Sequence, residues 1–119
     1  MAKSKSAAKN LIVVQDDLDM ALGTQKLTFD RGSGGHNGIK SVELALRTQK
    51  FVRIRVGITP INPKGILKKP KGRDAVHEFI VGNFKKSECT TLEKLSLEIG
   101  DAIALLISEG RPKAMSLYN

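Results

Sequence analysis

The chain is poor in the residues that staple, stack or anchor. It has one cysteine, no tryptophan and one tyrosine among 119 residues. A lone Cys89 excludes a disulfide framework and points to a reducing compartment. Four phenylalanines and one tyrosine supply little for stacking on unpaired bases. The longest apolar runs, Leu11–Val14 and Ala102–Ile107, are far too short to cross a bilayer, so no membrane partner is expected. The first residues carry lysines but lack the apolar stretch of a secretory signal. Cytoplasm is the expected location. An N-terminus with serines and no acids leaves a mitochondrion or plastid as the alternative. Residues 1–10 are expected to be a disordered basic tail or a cloning remnant, and residues 11–119 one domain.

Acidic charge is also scarce where basic charge collects. Net charge is +8, and residues 47–86 hold eleven basic side chains against two acids. Charge so concentrated favours a polyanionic partner, because each phosphate neutralised releases counterions. A solvated lysine face is the plainer reading of the same residues. With so few aromatics, recognition of backbone and shape fits better than recognition of bases.

Leu11-Ile12-Val13-Val14 is a continuous, β-branched run, the pattern of a strand buried on both faces in the middle of a sheet. Gly23 marks a turn, and Leu27 and Phe29 alternate with Lys26 and Thr28 along a second strand, Gln25–Phe29. Asp30–Gly35 reads as a loop. Asn37 can cap the helix after it, whose apolar positions are Ile39, Val42, Ala45 and Leu46. Phe51–Ile58 is the clearest strand, with Val52, Ile54, Val56 and Ile58 on one face and Arg53 and Arg55 on the other.

Three prolines, two glycines and four lysines between Thr59 and Gly72 read as a mobile basic loop. Asp74–Val81 reads as a short helix stopped by Gly82. Ser87 can cap a long helix with apolar positions Cys89, Leu92, Leu95, Ile99, Ala102, Ile103 and Leu106, ended by Gly110 and Pro112. The fold class is α/β, a mixed sheet with flanking helices. Two other strands and three helices barely cover a strand as apolar as Leu11–Val14, so an incomplete sheet is expected. Its open edge invites a homodimer or a partner chain that completes it.

Asp16 falls at the expected end of a strand, where α/β proteins place ligand sites. A carboxylate there either forms an Asx turn or orients a histidine that serves as general base. Asp17 and Asp19 add acids, but no histidine or further acid lies near in sequence, and no metal is expected. Gly32-Ser33-Gly34-Gly35-His36-Asn37 puts flexible amides before a helix N-terminus, an anion site without the Gly-Lys-Ser/Thr ending of a nucleotide-triphosphate loop. Asn37 is either an N-cap or a substrate contact. His36 is either structural or a base, His77 reads as surface, and Cys89 reads as core.

The run Val13-Val14-Gln15-Asp16-Asp17-Leu18-Asp19, followed by Gly34-Gly35-His36-Asn37-Gly38-Ile39-Lys40, resembles the bacterial-type peptidyl-tRNA hydrolases. The likeness extends from Leu11 to Asn119 and covers the C-terminal part of that family's pattern. It implies hydrolysis of the ester between peptide and tRNA by activated water, with no cofactor. Asp16 would orient the catalytic histidine, and Asn37 would contact the substrate beside Gly35 and His36. Arg55 would bind tRNA phosphate, with Arg53 and Lys26 beside it. Gln15 departs from the histidine that many members carry there. The family's general-base histidine and two binding asparagines precede this region, and nothing in Met1–Asn10 resembles them. The expectation is therefore a peptidyl-tRNA hydrolase, inactive or weak as this chain. The alternatives are a non-catalytic RNA-binding module and a docking module built on the same fold.

Overall fold

Alternation at Val52–Thr59 builds the strand on which everything else rests. The computed structural model describes residues 7–119. Three strands, β1 (Ile12–Ala21), β2 (Gln25–Phe29) and β3 (Val52–Thr59), form one mixed sheet in the order β1-β3-β2. β3 lies at the centre, parallel to β1 and antiparallel to β2. Helix α1 (Asn37–Leu46) links β2 to β3, and α2 (Arg73–Val81), α3 (Lys86–Glu109) and α4 (Arg111–Tyr118) follow.

Leu27 and Ile54 face each other across the sheet and are fully buried with Ala102 of α3 and Ala114 of α4. Ile12, Val56, Ile99, Ile103, Leu106, Met115 and Tyr118 pack around them. Burying each large aliphatic side chain contributes about 1.5–3 kcal/mol. The small Ala114 lets α4 approach β2 closely, and Ala102 of α3 packs into the same cluster. At the chain's end, the Asn119 side chain accepts the Leu27 N–H and donates to the Leu27 carbonyl, both at 2.8 Å. It stands in for a strand and satisfies that part of the free edge of β2.

Several elements differ from the sequence expectation. β1 runs through the three acids instead of stopping at them, and it lies at an edge. Among the described residues only β3 pairs with it, and Val14 is half exposed. The central place belongs to β3, because both of its faces are covered, including the one that carries Arg53. Register along β1 breaks between Asp17 and Ala21, where four steps of β1 answer two of β3. The bulge turns the Ala21 carbonyl onto Gly57, where a Cβ would meet that oxygen at 2.0 Å. Only glycine fits there.

His36, not Asn37, caps α1, its Nδ1 accepting the Ile39 N–H at 3.1 Å. Ser87 lies inside α3, whose first turn is closed instead by Glu88 accepting the Lys85 N–H at 2.8 Å. Gly110 ends α3 as expected, but Pro112 starts a further helix, sitting in the first turn of α4 where its missing N–H costs nothing. Cys89 is exposed, because α3 joins the core cluster on the sheet only from Ile99 onward.

The Thr59–Gly72 segment contains an ordered turn. Ile61 bridges Leu67, and the Asn62 carboxamide accepts the N–H groups of Lys64 and Ile66. Of the expected disordered tail, residues 1–6 lie outside the described residues, and Ala7–Asn10 forms a 3-10 turn with Ala8 fully buried.

Candidate active site

The face of β3 turned away from the core carries Arg53 and Arg55. The parallel register sets Val13 and Gln15 of β1 opposite them, so that each arginine reaches the β1 residue two positions further on, Gln15 and Asp17. Two parallel strands with polar residues at matched two-residue steps make a polar floor. Above it the β2–α1 loop turns through Gly34 and Gly35, with φ of +61° and +90°, a conformation glycine adopts without strain. Together with Val76, His77 and Ile80 of α2 and Lys69 of the preceding turn, these residues enclose a cavity of about 1020 Å³.

Asp16, on the edge strand, reaches the loop: its Oδ1 lies 2.9 Å from His36 Nε2. The other ring nitrogen, Nδ1, accepts the Ile39 N–H. A neutral imidazole has one donor and one acceptor nitrogen, so this pattern assigns the proton to Nε2, donated to Asp16, and the lone pair to Nδ1. Both nitrogens are therefore engaged. Asn37 follows at the exposed start of α1 and lines the same cavity.

The two arginines do different things. Arg55 is half-buried, and its Nε donates to Asp17 Oδ2 at 2.7 Å, while Lys26 lies beside it in register on β2, exposed and lining the cavity. Arg53 is only 5% exposed. Its Nη1 donates to Gln15 Oε1 at 3.1 Å and its Nη2 to the Gly32 carbonyl at 3.0 Å. Burial, and the neighbouring Arg55 charge, pull its pKa below the ordinary guanidinium value. Arg53 is thus committed to the protein, whereas the sequence pattern had offered it to phosphate alongside Arg55. Asp17 takes the Asx turn, its Oδ1 accepting the Asp19 N–H at 2.8 Å, which leaves Asp16 for His36.

Sequence reasoning gave no role to Asp17, Arg31, or the Lys69–Asp19 ion pair that crosses the cavity rim. For Asp17 and Gln15 the signal was present: their two-residue spacing matches that of Arg53 and Arg55. Among the described residues no group of three or more His, Cys, Asp or Glu side chains is placed to hold a metal.

The peptidyl-tRNA hydrolase family model matches residues 1–119. The chain belongs to the peptidyl-tRNA hydrolase family. It is 39% identical over 115 residues to a peptidyl-tRNA hydrolase of Geobacter sp. strain M21, covering 97% of this chain and 56% of that one. It is 40% identical over 110 residues to that of Thermotoga petrophila, covering 92% and 54%. Among solved structures, the peptidyl-tRNA hydrolase of Acinetobacter baumannii superposes with a TM-score of 0.69 at 26% identity, covering 91% of this chain and 50% of that one. The chain thus spans about half the length of the relatives it matches.

Proposed function

We propose that this chain acts on peptidyl-tRNA, holding the tRNA side of the substrate and hydrolysing the ester slowly by itself. The observation that carries the reading is the Asp16–His36 contact at 2.9 Å, set against a glycine loop in a cavity with Lys26, Arg31 and Arg55 around it. The basic side chains suit the phosphates of the acceptor end, and Asn37 suits the ester carbonyl or a ribose hydroxyl. No cofactor is needed, because the nucleophile is water. That substrate also fits a cytoplasmic site of action.

Slow turnover follows from His36. A general base needs a free lone pair aimed at water, and that of His36 is given to the Ile39 N–H. Freeing it opens the first turn of α1 and costs about 1 kcal/mol, the usual worth of an N-cap. A site without a placed base loses roughly 10²- to 10⁴-fold in rate. The outer side of β1, unpaired among the described residues, is where a second copy or a partner strand would complete the sheet.

Incubating the purified chain with an N-acetylated aminoacyl-tRNA tests the reading. The expected result is salt-sensitive tRNA binding with slow ester cleavage that Asp16→Asn removes while binding persists. Cleavage at full enzymatic rates would overturn the slow-turnover reading. Binding without any cleavage would favour a non-catalytic RNA-binding module, and no binding at low salt would reject the substrate.

A further inference from the structure

Strand β1 and the glycine loop are joined twice. One link is direct, from Asp16 to His36. The other runs through Arg53, which donates one guanidinium nitrogen to Gln15, the residue before Asp16, and another to the Gly32 carbonyl, four residues before His36. Gln15 is itself buried and directs its Nε2 to the Asp16 carbonyl at 3.2 Å. The two links close a ring: Asp16, His36, the loop back to Gly32, Arg53, Gln15, and Asp16 again.

The ring matters because, within the loop, only Ser33 adds to it, accepting the His36 N–H on its carbonyl at 3.1 Å and the Gly35 N–H on its Oγ at 3.3 Å. Gly32, Gly34 and Gly35 leave its backbone free to adopt many conformations, and nothing lies within 4 Å of where their Cβ atoms would be. A planar guanidinium holds two acceptors at a fixed separation, which a lysine ammonium on a flexible stem does not do. Arg53 is buried, so a solvent-borne phosphate has no access to it comparable with that of Arg55 or Lys26.

We infer that Arg53 is a positioning residue, which through Gln15 and Gly32 sets the glycine loop so that His36 meets Asp16 and Asn37 faces the cavity. This inference rests on the proposed hydrolase reading for its kinetic consequence, but its structural part stands apart. Gln15 gains a role with it: its Oε1 presents an acceptor that Arg53 requires.

The test uses the whole chain and nitrogen-15 NMR of the imidazole, which reports the His36 tautomer without any substrate. In the wild type His36 shows the Nε2–H form. In Arg53→Lys, and independently in Gln15→Leu, the folded protein is expected to lose that single tautomer and to show broadened amides at Gly34 and Gly35. Gln15→Glu, which keeps an acceptor for Arg53, retains it. With N-acetylated aminoacyl-tRNA, Arg53→Lys is expected to lower kcat about tenfold, in the range a misplacement of reacting groups costs. KM is expected to change less than about twofold, because phosphate contacts remain. Arg55→Ala should do the reverse.

If Arg53→Lys does not fold, Gln15→Leu decides alone. An unchanged His36 signature in the folded variants overturns the inference, as does a loss of tRNA binding in Arg53→Lys equal to that in Arg55→Ala. If the wild type cleaves nothing, the hydrolase reading fails while the NMR result still judges Arg53.

Discussion

Ile54 and Arg55 are neighbours on one strand, yet they look into opposite halves of the molecule. Ile54 faces Leu27, Ala102 and Ala114, an apolar layer with two helices over it. Arg55 faces Asp17 and the open cavity, on a floor made of charged and amide side chains. The apolar face holds the fold through burial, which is non-directional and tolerates small shifts. The polar face holds a constellation through directed bonds, each with one donor and one acceptor in place. A change on the first should move stability, and a change on the second should move binding or turnover with a smaller effect on stability.

The largest effect is expected where the apolar face is most complete. Ile54→Ala removes a fully buried side chain from between the central strand β3 and the α3–α4 layer. Such truncations cost about 2–5 kcal/mol, a large part of a small domain's stability. Urea unfolding should show the loss as a lower midpoint with unchanged slope. tRNA affinity, measured where the variant is still folded, should stay near that of the wild type. A large affinity loss there would show that the two faces are coupled.

Arg55→Ala reverses the emphasis. It leaves the Asp17 carboxylate with an unpaired Oδ2, so stability should fall by about 1.5 kcal/mol, the lower end for a hydrogen bond to a charged group beside water. Removal of the phosphate contact proposed for Arg55 should also reduce the slope of log affinity against log salt by about 1. Fluorescence titration of tRNA across a salt series reads it directly. An unchanged slope would mean that Asp17 keeps Arg55 from the phosphate.

The contrast between the faces also explains what was legible in the sequence. Period-two alternation at β2 and β3, and three-to-four spacing in the second half of α3, are properties of the apolar face, and they place its core residues; α1 lends none to that cluster, and its Ala45 is exposed. The polar face is set by pairings the linear pattern does not rank. Arg53 and Arg55 share residue type, strand and side; only Gln15 and the Gly32 carbonyl make one of them a buried strut. His36 and Asn37 are adjacent and both able to cap, and the choice falls on His36, whose other nitrogen meets Asp16. The acids of β1 looked like a strand end because charges are rare in central strands, but an edge strand with a bulge accommodates them. Pro112 read as a stop, although proline serves equally well in the first turn of a helix. The helix it opens, α4, supplies Ala114 and Met115 to the core, and Tyr118 packs there too.

The smallest effect belongs to the rim, where neither face dominates. Lys69 pairs with Asp19, and both side chains are about half exposed or more, at 49% and 64%. An ion pair so open to water gains little, because water screens the attraction and holding two mobile side chains costs entropy. Lys69→Ala should therefore change stability by less than about 0.5 kcal/mol. Its effect on tRNA should be equally modest, since the ammonium reaches a phosphate only by leaving Asp19. Asp19→Asn separates the two possibilities. If the pair restrains Lys69, freeing it tightens tRNA binding at low salt, and the gain vanishes in the Lys69→Ala, Asp19→Asn double variant. A gain that persists in the double variant would assign the effect to removing a negative charge from the cavity, and the rim would then act through its field and not through the pair.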